Sequence, residues 1–261
     1  MSYVLICVTA FAVSGLTLFS GFGLGTVLMP AFALFFPVPA AIAATAVVHL
    51  ANNLFKLALV GRDADWGVVL RFSLPAAVAA IFGASLLAVI AEVPALASYA
   101  IAGHVREVSA VKAVIGALIV VFAMLEFWPW FAQLALPPRY LALGGLLSGF
   151  FGGLSGNQGA LRSAFLIKAG LSKEAFVGTN AVSTVIVDTV RLVVYGLSFH
   201  AAGWTVAQPD LARLVGAATV SAFLGAFLAA RLLKKVTLRF VQITVAAAMT
   251  VVGAGLAAGL L

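Results

Sequence analysis

The chain has 261 residues, 64% of them hydrophobic and only 9% charged, where a soluble domain carries about 25% charged residues. That balance excludes an ordinary soluble enzyme and leaves no segment for a separate soluble domain. The net charge is +7, but most basic residues lie between apolar segments, where membrane topology accounts for them better than nucleic acid does.

Apolar segments fall at about 3–36, 40–61, 67–91, 109–128, 138–168, 172–199, 210–233 and 237–261. Nearly all are apolar all round, the pattern of helices buried in lipid. A crossing needs about 20 apolar residues. The expected fold is therefore an all-α polytopic membrane protein with about eight transmembrane helices in two four-span repeats. The first segment lacks a basic leader and a clean cleavage site, so it is expected to stay as the first span. Cys7 is the only cysteine, which excludes an internal disulfide and cysteine-based zinc sites.

The first and fifth segments are too long for one straight span, and each carries a glycine break. The breaks read Ser20-Gly21-Phe22-Gly23-Leu24-Gly25 and Gly149-Phe150-Phe151-Gly152-Gly153-Leu154-Ser155-Gly156. Glycine costs a helix about 1 kcal/mol against alanine, so such clusters mark unwinding or very close packing. A short helix is expected after each.

Four ionisable residues lie inside apolar segments: Lys56, Arg162, Asp188 and Arg191. Insertion scales put such a group at about 2.5–3.5 kcal/mol at the centre of a membrane helix. Three of the four are basic, so the default cargo is an anion. On the second segment His49, Asn52, Asn53 and Lys56 share one helical face. The bland reading of that stripe is hydrogen bonding between helices, or Lys56 reaching for the interface. On the fifth, Asn157, Gln158, Arg162 and Ser163 follow the glycines. A half-helix starting there would offer free N–H groups, a positive dipole end and a planar guanidinium to an anion. The first break offers Thr26 instead, so the two half-sites are expected to be unequal. On the sixth, Asn180, Thr184, Asp188 and Arg191 lie close to one face, with Tyr195 next. Asp188 and Arg191 can pair, and the bland reading is a self-neutralised ion pair.

Ser20-Gly21-Phe22 matches Ser148-Gly149-Phe150, and Ala44-Thr45-Ala46 lies opposite Gly178-Thr179-Asn180. The halves are expected at residues 1–128 and 138–261, with a linker at 129–137 holding Pro129 and Pro137. Paired glycine interruptions in two halves point to a transporter binding site. Four crossings per half would make the repeats parallel; an odd number would invert them. With eight crossings, the side holding Lys168, Lys234 and Lys235 is richer in basic residues than the side holding Arg62 and Arg139. The richer side should be cytoplasmic, with both termini periplasmic. Trp66, Trp128, Trp130 and Trp204 fall at expected helix ends, as interfacial anchors do.

Two short motifs carry little weight. No strand precedes Gly21-Phe22-Gly23-Leu24-Gly25, so a dinucleotide site does not fit. Gly153-Leu154-Ser155-Gly156 looks like the serine motif of intramembrane proteases, but that chemistry needs a histidine packed against the serine. Three scattered histidines and no visible His/carboxylate cluster argue against a metal. No cofactor is expected, and no catalytic residue. The expected partners are a small anion and the lipid bilayer, with a homo-oligomer open and nucleic acid excluded.

A glycine-rich break near residue 21, Pro30, Ala44-Thr45, a second break at 149–156 and Gly178-Thr179-Asn180 run the length of the chain. In that order they resemble the TauE/SafE family of membrane transporters. The resemblance implies movement of sulfite, sulfoacetate, thiosulfate or organosulfonates across a bacterial inner membrane. Two departures bear on cargo. Thr26, Val27 and Leu28 stand ahead of Pro30, and the second break ends in Gly156-Asn157-Gln158-Gly159 rather than an unbroken glycine run. The expected site binds the anion through Arg162 and Arg191, with Asn157, Gln158, Asn52, Asn180 and Lys56 as further contacts. Asp188 is the expected coupling residue. The competing readings are an intramembrane hydrolase using Ser155 and a scaffold subunit with purely structural charges.

Overall fold

The computed structural model describes residues 2–20, 24–60, 63–101, 104–128, 134–201, 209–232 and 238–261. Among them are ten α-helices: α1 (Ser2–Ser20), α2 (Leu24–Ala33), α3 (Val38–Val60), α4 (Trp66–Ala91), α5 (Ala110–Phe127), α6 (Leu141–Ser155), α7 (Gly159–Leu166), α8 (Lys173–Ala201), α9 (Pro209–Leu232) and α10 (Leu238–Ala257). Four stretches among the described residues are long and apolar enough to cross a membrane: Val38–Ala58, Trp66–Ala91, Glu174–Ser198 and Asp210–Ala229. The chain is an all-α membrane protein in its main mass, as the composition requires.

One element departs from that reading. Residues 92–108, expected as a loop, hold an antiparallel hairpin of β1 (Ala95–Ile101) and β2 (His104–Ser109). Pro94 cannot continue α4, and Tyr99, Ile101, Val105 and Val108 are strand-favouring residues in a piece too short to span. The hairpin packs on the C-terminal end: Tyr99 Oη donates to the Ala258 carbonyl at 2.5 Å and Arg106 Nη1 to the Leu260 carbonyl at 3.1 Å. Ser109 then caps α5 by accepting from the Lys112 N–H.

Small residues bring the helices together. On α6, Gly145, Gly149 and Gly153 recur every fourth position and face the carbonyls of Phe72, Ala76 and Ala80 on α4. Gly83 of α4 in turn faces the Phe150 carbonyl. In lipid, packing rather than hydrophobic exclusion joins helices, and a missing Cβ lets backbones touch. Gly15 and Gly225 do the same for α1 and α9, and Gly116 and Gly253 for α5 and α10.

Contacts along the chain fix the directions. Gly145, Gly149 and Gly153 meet progressively later residues of α4, so α4 and α6 run parallel. Asp65 N–H donates to Thr179 Oγ1 at 2.9 Å, and Ser73 Oγ to Ser183 Oγ at 2.9 Å, so α8 starts at that same end. Tyr3 Oη reaches the Asp210 carbonyl, placing the start of α1 with the start of α9 at the opposite end. The ring stack of Phe55 on Phe223 sets α3 alongside α9.

The fifth segment stays helical through Gly149, Gly152 and Gly153, breaks only at Gly156–Gln158, and does not carry on in the same direction. The Leu136 N–H donates to the Ala164 carbonyl at 3.1 Å, so the end of α7 lies beside the start of α6. Phe165 of α7 covers Gly144 of α6, and Ser148 Oγ donates to the Gln158 carbonyl. The segment is a re-entrant hairpin. Its turn is Gly156, with φ of 82°, a conformation that suits glycine. The first break, Gly21 to Gly23, lies outside the described residues, as do Trp130 and Trp204. Trp66 and Trp128 are both exposed at helix ends.

Candidate functional site

Gly25, in the first turn of α2, approaches Gly156 at the turn of the α6–α7 hairpin. A Cβ on Gly25 would lie 3.3 Å from the Gly156 carbonyl and 3.8 Å from the His49 ring. Just beneath, α3 and α8 face each other through their polar stripes. Asp188 is fully buried, hydrogen-bonded to His49 Nδ1 at 2.6 Å and Gln158 Nε2 at 3.0 Å, and ion-paired with Arg191 Nη2 at 2.8 Å. A carboxylate beside a guanidinium only accepts, which assigns the shared proton to His49 Nδ1. Arg191 Nη1 also donates to the Gly152 carbonyl at 3.2 Å, and Tyr195 Oη donates to the Gly153 carbonyl. Arg191 thereby ties α8 to the tip of the α6–α7 hairpin.

Arg162 differs. It is 1% exposed, and its Nε donates to Asn180 Oδ1 at 2.5 Å. Its Nη1 is buried without a partner, as are Arg191 Nε, Gln158 Oε1 and Ser163 Oγ. Buried polar atoms are nearly always bonded, so these four stand out among the buried side chains. Lys56 is buried on α3, makes no ion pair among the described residues and lies within electrostatic reach of Arg162. Among the described side chains, three cations and one carboxylate are thus buried in this part of the molecule.

The fold brings Arg162, Arg191, Gln158, Asn180 and Asp188 into one cluster, with Lys56 near it. Asn157 is buried but turned to Ser155, its Nδ2 3.3 Å from Ser155 Oγ, so it braces the hairpin turn. Asn52 accepts from Ser14 Oγ of α1 at 3.0 Å, while its Nδ2 is unpartnered. The side chain of Thr26 is not among those described. His49 corrects the expectation that no histidine would meet a carboxylate. The sequence set it on the right face of α3 but gave no sign of which helix that face would meet. Among the described residues no group of three His, Cys, Asp or Glu side chains could hold a metal. Ser155 donates to the Phe151 carbonyl at 3.0 Å and accepts from Asn157, and His49 is engaged with Asp188 instead.

A buried, cation-rich cluster where Gly25 approaches the turn of the α6–α7 hairpin inside a helical membrane protein resembles a transporter core. The family model for the sulfite exporter TauE/SafE matches residues 6–256, nearly the whole chain. The chain belongs to that family of membrane transporters, as the order of its motifs implied. No curated protein matches it.

Proposed function

We propose that the protein is a secondary carrier that exports a small sulfur-containing anion, such as sulfite, sulfoacetate or another organosulfonate, across the bacterial inner membrane. The observation that carries this reading is the buried Arg162 guanidinium with its unpartnered Nη1, in a cluster where cations outnumber carboxylates. Its planar fork suits an oxyanion, and the first turn of α7 adds N–H groups and a favourable dipole. Arg191, Gln158 and Asn180 complete the contacts, with Asn52 and Asn157 holding the helices around them. Asp188 with His49 is the acid–base pair through which protons would couple to the anion.

Two inverted halves suit this reading best. Each would hold a re-entrant hairpin and three crossings: α1–α2 with α3, α4 and α5, then α6–α7 with α8, α9 and α10. The helix partners support it, since α4 with α6 mirrors α9 with α1, while α5 pairs with α10 and α3 with α8. The halves fall at 1–128 and 138–261, across the 129–137 linker. Loops at the end where α4, α6 and α8 start then carry Arg62, Arg139, Lys168, Lys234 and Lys235, against Arg106 alone at the other. That end would be cytoplasmic and the termini periplasmic. Arg162 and Lys56 lie on the cytoplasmic side of the hairpin tips, which favours loading from within and hence export.

The test is flux in proteoliposomes. Wild-type protein should move sulfite or sulfoacetate down an imposed gradient, and Arg162→Ala should abolish the flux while staying monodisperse. Wild-type vesicles that move no sulfur anion would sink the proposal in favour of a scaffold role.

A further inference from the structure

We propose that the cluster selects an anion bearing two formal negative charges, and that Lys56 reads the second charge. This rests on the carrier reading above and adds the charge class of its cargo. Asp188 matches Arg191 at 2.8 Å. Arg162 has only the neutral Asn180 amide oxygen at 2.5 Å, and a guanidinium does not shed its proton in a protein. Lys56 has no acidic partner among the described residues. Of the acidic residues whose side chains are described, Asp188 alone is buried. Among the described residues, two positive charges are therefore left without a counter-charge.

An anion with one charge leaves one of those cations uncompensated in a medium where charge interactions are strong. A doubly charged anion leaves none. The geometry allows two separate contacts. Lys56 lies seven residues beyond His49 on α3, about 10 Å of helix rise, toward the end to which α7 also runs. Arg162 offers a fork that grips an oxyanion, whereas Lys56 offers a compact point charge. One end of the cargo would meet Arg162 and the other Lys56, or a compact dianion would sit between them.

The test compares sulfoacetate, with two charges, against 2-hydroxyethanesulfonate, which keeps the sulfonate and nearly the length but carries one. Binding is measured by calorimetry on the full-length protein in detergent. Wild type should prefer sulfoacetate by about tenfold or more. Lys56→Gln should bring that ratio close to unity, and Lys56→Arg, which keeps the charge, should preserve most of it. Equal affinities in wild type, or an undiminished ratio in a monodisperse Lys56→Gln variant, would overturn charge selection while leaving the carrier reading intact. If wild type binds neither anion nor sulfite, both fail together.

Discussion

Arg162 and Arg191 look alike in the sequence, yet their surroundings set them different tasks. Arg191 spends its guanidinium on Asp188 and the Gly152 carbonyl, so it is structural as much as functional. Arg191→Ala should lower the melting temperature sharply, because breaking a buried pair costs about 3–5 kcal/mol. Arg162 keeps an unpartnered Nη1, so Arg162→Ala should chiefly cost anion binding. Lysine should rescue it poorly, since an ammonium lacks the planar fork; a thermal-shift titration with sulfite separates the two variants. Asp188→Asn should flatten the pH dependence of flux if the Asp188–His49 pair carries the proton, and an unchanged profile would remove it from that role. The polar stripes on α3 and α8 were legible because helical spacing shows in one sequence. Their mutual contact was not, because His49 and Asp188 are separated by 139 residues and no local pattern records which faces meet.

Helices in this protein are joined by what they lack. Gly145, Gly149 and Gly153 on α6 leave room for the α4 backbone, and a side chain at any of them would strike a carbonyl. Gly149→Val should push α4 and α6 apart, at a cost of about 1–3 kcal/mol or more for overpacking, seen as a lower melting temperature and aggregation on extraction. Gly156 has a further duty. Its left-handed φ and the Arg191 Nη1 only 2.8 Å from an added Cβ make Gly156→Ala both strained and crowded. The sequence marks these glycines for unwinding or close packing: Gly145, Gly149 and Gly153 pack within an unbroken helix, and only Gly156 interrupts it. It gave no direction for the chain beyond the break, since a helix that resumes and one that turns back have the same hydropathy. The β1–β2 hairpin is hidden for a related reason: its two strands are short and lie between long apolar runs that dominate the hydropathy.

On the scale of the whole molecule, the turned-back fifth segment changes which loops share a side. Eight straight crossings would put residues 139 and 168 on opposite faces of the membrane, whereas a re-entrant hairpin puts them on one. In a Cys7→Ser background, Arg139→Cys and Lys168→Cys should both react with an impermeant maleimide from the same side, and labelling from opposite sides would restore the straight span. The same reversal explains how chain segments far apart in sequence come to enclose one small volume. Gly25 and Gly156, far apart in the sequence, approach each other beside His49. If the proposed carrier releases its anion past this contact, one backbone must draw away from the other first, so a side chain added at Gly25, only 3.3 Å from the Gly156 carbonyl, should disturb passage.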